Sequence, residues 1–442
     1  MRIAKSVLIG PSRNELYGIA AVALSFFVFA YSSRFGQISI LAYYGVWLPL
    51  VVVNYKRVLG NYLRYGWIFA FAAICFLSAF WSAAPSVSLR AAVQYLTHVV
   101  CALIAMRVLT SQTLTRGAVV GAAAVLLYSL VFGNYLYDAL DGTYSFVGAF
   151  SSKNQLGLYA SLGVVFAYAS VLIFRARGIW LMGSCATGLL SAYSLLASQS
   201  ATSVITTIAI LAACLGLQAT LYLAPRQRRL LFIGALVLVA GGGVAALQFG
   251  AMDAVLGVFG KDSTLTGRTY LWQQGILAAA QTPWLGVGYQ GYWVQGFSEA
   301  ERLWQDFFIT SRSGFHFHNT YIEAMVETGL FGTLLLTGLL VASLVAHLRR
   351  FLVFDRSPQS LLLVAILALL LVRSFVEIDI MHPYHVGSFL LYFATGKLAI
   401  RQVQANRAYF DRFATGRSNP QGAGAPASFR RANGFDLGRR SS

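Results

Sequence analysis

The chain has 442 residues, 57% of them hydrophobic and only 11% charged, with a formal net charge of +18. Soluble domains carry about 25% charged residues, so a chain this apolar cannot cover a water-facing surface and reads as a polytopic membrane protein. The four cysteines (Cys75, Cys101, Cys185, Cys214) fall inside apolar runs and match neither a metal site nor a disulfide framework, which leaves them as small packing residues.

A helix needs about 20 mainly apolar residues to cross a bilayer. Runs of that kind lie at 16–32, 38–54, 65–82, 88–107, 117–134, 155–174, 179–197, 203–222, 230–249, 320–346, 359–376 and 385–400. They predict an all-α fold of about twelve transmembrane helices. The first run starts too late, and leads into too many others, to be a cleaved signal peptide. Four regions follow: a bundle over 1–249, a large loop over 250–319, further spans over 320–400, and a basic, disordered tail over 401–442.

With the N-terminus in the cytoplasm, about 25 of the 33 lysines and arginines fall on the inner side. The basic excess is therefore a topology signal and a match to anionic lipid head groups, not a nucleic-acid footprint. The 250–319 loop then lies on the outer side, and loops of this length usually carry function. Within it, RTYLWQQGILAAAQ (268–281) predicts a helix at the membrane interface, ended by Thr282-Pro283.

The unusual polar residues gather on that outer side, where polar groups near a bilayer are costly unless used. In FHFHNTYIEAMVETGLFG (315–332), Thr320-Tyr-Ile-Glu323 fits a capping box that starts a helix. His318 sits just before it, beside His316 and Asn319, and is either a general base facing water or an anchor for the helix end. Glu327 lies on the stripe of Thr320 and Glu323, away from His318, which suits polar packing between helices. Gly267-Arg268 opens the loop helix and suits a phosphate or a solvated loop arginine. Lys153, in FSSKNQLG (150–157), binds an anion or snorkels. Arg373 and Glu377, four apart, read as a pair, with Asp379, His382 and His385 close by. The H-x-H and H-x-x-H spacings are too weak to predict a metal. Gly286-Val-Gly288-Tyr-Gln-Gly291 matches G-x-G-x-x-G but follows no strand of a βαβ unit, and reads as a turn-rich loop.

The ordered set GRTYLW (267–272), PWLGVGYQGY (283–292) and HFHNTYIEAMVETGLFG (316–332) resembles the O-antigen ligase/polymerase superfamily. The resemblance covers roughly 145–395, and SKNQLG (152–157) looks most like its exopolysaccharide polymerase branch. It implies a bacterial inner-membrane enzyme that uses undecaprenyl-diphosphate-linked glycans at the periplasmic face, with no cofactor and no metal. Ligases pass the glycan to lipid A core; polymerases pass it to the next lipid-linked repeat unit. The resemblance carries the catalytic histidine to His318, the loop arginine to Arg268 and the glutamate before Gly-x-x-Gly to Glu327. It also expects a basic residue where this chain has Ala201, in SQSATS (198–203). Lys153 or Arg373 would supply that charge, with Lys153 favoured. A chain-length regulator and a flippase are candidate partners. A transporter would instead place charges near the midplane with repeated halves; an export scaffold would dispense with His318 and Arg268.

Overall fold

The computed structural model describes residues 4–399 except Ser12, Asn61, 139–142, 249–266 and 355–356. The predicted tail over 401–442 lies outside the described residues. The protein is a helical membrane protein, with seven helices long and apolar enough to cross a bilayer among the described residues.

The first apolar stretch is α1 (Glu15–Trp47), continued by Pro49–Val53; backbone breaks at Tyr31 and Gly36 divide what the sequence reads as two runs. Next come α2 (Tyr65–Phe80), α3 (Pro85–Val108) and α4 (Ser111–Phe132). Helix α4 packs along α1. Then β1 (Asn134–Asp138) and β2 (Thr143–Gly148) form an antiparallel hairpin, with Tyr135 opposite Phe146 and Tyr137 opposite Tyr144. This hairpin corrects a purely α expectation. Its aromatic and apolar residues carry the strand preference, but the stretch is too short to register among runs judged by span length.

Three helices follow: α5 (Lys153–Tyr168), α6 (Ile179–Ala197) and α7 (Ala201–Ala219). Thr207 Oγ1 donates to Ser161 Oγ at 2.7 Å, joining α7 to α5. This is the kind of interhelical hydroxyl contact expected where lipid offers no partner. Helix α8 (Pro225–Gln248) completes the first half.

The described part of the long loop, 267–319, is folded. The predicted helix appears as α9 (Arg268–Gln281), which ends as expected at Thr282; α10 (Ser298–Asp306) was not foreseen. Leu271, Tyr292, Leu303, Trp304 and Phe317 form a compact aromatic core under them. Helix α9 packs on the start of α11 (Thr320–Arg349). The chain closes with α12 (Pro358–Ser374) and α13 (Val386–Ala399).

Candidate active site

Helix α11 begins one residue earlier in its capping pattern than the sequence suggests. Asn319, not Thr320, is the N-cap: its Oδ1 accepts from Tyr321 N at 2.9 Å and Ile322 N at 3.2 Å. Thr320 Oγ1 is drawn away to donate to the Glu377 carbonyl at 2.6 Å. Glu323 makes no capping box. It is buried and accepts from Trp293 Nε1 and from Phe317 N, both at 2.8 Å.

Lower down, α11 is broken at Gly329 (φ 64°), and the G-x-G loop fills the break. Val287 N donates to Val326 O and Gly288 N to Glu327 O, both at 2.9 Å, and Leu330 N donates to Pro283 O at 2.8 Å. A Cβ on Gly329 would lie 2.2 Å from the Trp284 backbone, and one on Gly286 (φ 68°) would lie 2.4 Å from that of Glu327. The turn-rich loop is thus a backbone clasp on a broken helix, and both glycines are required by geometry and contact. Glu327 is buried beside this clasp, with Oε2 unpartnered among the described residues, so it makes no hydrogen bond to His318 through that oxygen. Gly329→Ala should sharply reduce the folded protein recovered from membranes, measured by detergent size-exclusion; a normal profile would contradict the clasp.

His318 is held in the left-handed backbone region, at φ 51°. Such a conformation is uncommon for a residue with a side chain and tends to persist where the surroundings impose it. Its backbone N–H donates to His316 Nδ1 at 3.1 Å. Its Nδ1 lies 3.4 Å from Glu377 Oε2. The other Glu377 oxygen accepts from Arg268 Nη2 at 3.0 Å. Three consecutive carbonyls fix this segment to the His318 stretch and α9: Phe375 O accepts from Asn319 Nδ2, Val376 O from Arg268 Nη1, and Glu377 O from Thr320 Oγ1. Trp272 Nε1 donates to Phe317 O at 2.9 Å, so α9 is tied directly to the stretch carrying the histidine.

Glu377 lies 3.4 Å from Nδ1 without a formed hydrogen bond; the tautomer protonated at Nδ1 would leave Nε2 free to accept a proton. Burial alone would raise the Glu377 carboxyl, but His318, Arg268 and His316 hold it well below the usual carboxylate range. His316, His318 and Glu377 also place potential metal-ligating atoms within 4.8 Å of one another. The fit is poor, because Arg268 already holds one carboxylate oxygen and would oppose a divalent cation there.

The expected Arg373–Glu377 pair does not form. Helix α12 ends at Ser374, so four-residue helical spacing no longer applies beyond Arg373. Arg373 is 1% exposed and pairs with Asp379 instead, Nε to Oδ2 at 2.5 Å. Its Nη1 donates to Ser203 Oγ at 2.8 Å and its Nη2 to Asn154 O at 3.3 Å. Ser200 Oγ donates to Asn154 Oδ1 at 3.0 Å. Arg373 therefore ties the N-terminal turns of α5 and α7 to the segment that carries Glu377, close to Ala201, where the basic residue was expected. Lys153, half-buried, is the first residue of α5 beside Asn154. The structure thus joins His318, His316, Asn319, Arg268 and Glu377 in one cluster and places Arg373 and Lys153 in a second. Residues 373–379 connect the two, while Glu323 and Glu327 are supports in α11. Sequence reasoning missed Asp379 as the arginine's partner and missed Ser203 and Trp293; only the folded contacts bring them in.

His382 Nδ1 lies 3.0 Å from Gln290 Nε2, fastening the clasp loop to residues just before α13. Burial pushes the His382 ring down to about 3, with His385 adding to the effect. Burial and the neighbouring His318 likewise lower His316. An unfolded histidine titrates near about 6.5, so below that pH the unfolded chain binds more protons and stability falls. Glu377, whose folded value is depressed, stays ionised through this window and loses its contribution only at lower pH. The thermal midpoint in detergent should therefore drop as pH falls from 7.5 to 5.5, and His382→Gln should flatten the slope. A pH-independent midpoint would contradict these assignments.

A many-helix membrane fold in which the folded loop brings His318 and Arg268 to Glu377, from the segment after α12, defines the class, and residues 186–337 match the family model described as O-antigen ligase. The chain belongs to the O-antigen ligase/polymerase superfamily. Among known proteins it is similar to the exopolysaccharide production protein ExoQ of Rhizobium meliloti (strain 1021), with 64% identity over 400 residues. That likeness covers 90% of this chain and 92% of the relative's.

Proposed function

We propose that this polymerase- or ligase-type enzyme is a polysaccharide polymerase of the bacterial inner membrane. It has about twelve spans, cytoplasmic termini and a periplasmic active site. The donor is a glycan on undecaprenyl diphosphate, and the acceptor is a sugar hydroxyl of the next lipid-linked repeat unit. His318 Nε2 takes the hydroxyl proton as the oxygen attacks the anomeric carbon, with inversion. The anomeric C–O bond breaks, and undecaprenyl diphosphate leaves with the bonding pair.

One observation carries the reading: a single carboxylate, Glu377, lies 3.4 Å from the histidine Nδ1 through one oxygen and holds Arg268 through the other. Base and cation are thereby kept at a fixed separation, as positioned catalysis requires. Arg268 and Lys153 stabilise the charge on the departing diphosphate. Arg373 is already committed to Asp379, Ser203 and Asn154, so its part is to position α5 and α7 and, with α5, Lys153. The ExoQ relative is named for exopolysaccharide production, which is compatible with a polymerase, and the description of the matched family model supports ligase as the second reading.

Deleting the gene distinguishes the two. A polymerase defect leaves single lipid-linked repeats and no long glycan on a gel, which is the expected result. Long lipid-linked glycan that accumulates unattached would establish a ligase instead. The chemistry proposed is metal-independent, so turnover by purified protein should survive prolonged EDTA treatment. Loss that zinc or magnesium restores would overturn that part.

A further inference from the structure

A cavity of about 490 Å³ opens between the start of α3 and the loop that follows the clasp. This is within the size range of small-molecule sites. Its wall on one side is apolar and small, formed by Ala83, Ala84 and Val87. The other side presents Trp293, Gln295, Phe297 and Arg312. The two sides are strapped together: Ala83 N donates to Val287 O at 2.9 Å, and Trp81 Nε1 donates to Leu285 O at 3.1 Å.

The aromatic wall is rigid. The Trp293 indole donates to Glu323, and its ring packs 4.9 Å from Phe317 and 5.2 Å from Phe315. Phe315 in turn lies 6.4 Å from the His318 ring. Gln295 is exposed, and its amide makes no hydrogen bond among the described residues. Arg312 is about half exposed and spends only Nε on Glu301, at 3.3 Å.

We propose that this cavity is a saccharide subsite that holds a sugar ring of the glycan adjacent to the reacting one. Flat aromatic faces suit the C–H face of a pyranose. A planar amide and a guanidinium fork, both with unused donors, suit its hydroxyls. A lipid tail would make no use of the Gln295 amide or the Arg312 guanidinium. The inference rests on the glycan-transfer reading above. It adds where the chain is gripped: Glu323 anchors Trp293 and sits in the helix whose first turn follows His318, so a ring bound here fixes the neighbouring sugar relative to the base.

The test uses full-length protein in detergent and two probes. One is the free oligosaccharide released from the lipid-linked repeat unit, followed by saturation-transfer NMR; the other is the intact lipid-linked repeat, followed by turnover. Gln295→Ala and Phe297→Ala should each weaken oligosaccharide binding and raise KM about tenfold, with kcat within about twofold. His318→Ala should bind the free oligosaccharide like wild type while losing turnover. Because Gln295 is exposed and packs nothing, its variant keeps the test valid if Phe297→Ala misfolds. Wild-type affinity and KM in Gln295→Ala, in an enzyme that elongates normally, would overturn the subsite alone. Wild-type protein that binds the oligosaccharide through these residues but never transfers it would support the subsite and overturn the polymerase reading.

Discussion

His318→Ala is expected to lower glycan transfer by about 10²–10⁴-fold, the usual contribution of a positioned general base, at unchanged protein level in the membrane. In cells complemented with this variant, single lipid-linked repeats should remain and long polymer should be missing. The side chain is 25% exposed and faces Glu377 through Nδ1, so its removal opens no core cavity. The backbone, at φ 51°, is the one structural complication. His318→Asn controls for it, since asparagine tolerates that region better than alanine; it should be equally inactive and at least as well folded. Glu377→Gln should follow in part, because an amide can misdirect the imidazole and releases Arg268 from its ion pair. If His318→Ala and His318→Asn make normal polymer, the catalytic assignment fails and a transporter or export scaffold becomes the better reading.

Arg373→Ala should act differently, through the fold. Its guanidinium is 1% exposed and paired with Asp379. Removing one partner of a buried ion pair costs about 3–5 kcal/mol, because the other charge is left uncompensated. Asn154 O and Ser203 Oγ would lose a donor as well, loosening α5 from α7. Folded protein should fall steeply in both Arg373→Ala and Asp379→Ala. The apolar double replacement Arg373→Met/Asp379→Leu should recover much of the level, as buried pairs often tolerate joint replacement. Detergent size-exclusion and thermal midpoints measure this directly. Single variants that fold normally and lose only turnover would instead make Arg373 a substrate ligand.

The helices were legible because apolar runs of span length leave little alternative in a bilayer. The loop helix was legible for a different reason: Gly267 and Thr282-Pro283 bracket an aromatic-containing stretch without proline. What was not legible came from contacts between distant segments. Thr320-x-x-Glu323 is a valid capping pattern, yet Asn319 takes the cap because the Glu377 carbonyl takes Thr320 and Trp293 takes Glu323. Arg373 and Glu377 have helical spacing, yet the helix stops at Ser374 and Asp379 turns back to the arginine. His318 and Arg268 stood out in the sequence as separate polar features, but nothing local showed that Glu377, more than fifty residues further along, would join them. The G-x-G stretch was rightly read as a loop, while its seat in the break of α11 depends on Gly329, a residue of another segment.

The proposed function requires this chain to move a lipid-linked glycan onto a second lipid-linked repeat. Purified protein in liposomes, supplied only with the undecaprenyl-diphosphate-linked repeat unit, tests it most directly. Mass spectrometry should find dimers and longer lipid-linked glycans with wild type and only the starting unit with His318→Ala. Wild-type protein that yields no elongated product until a different acceptor is added would contradict the account.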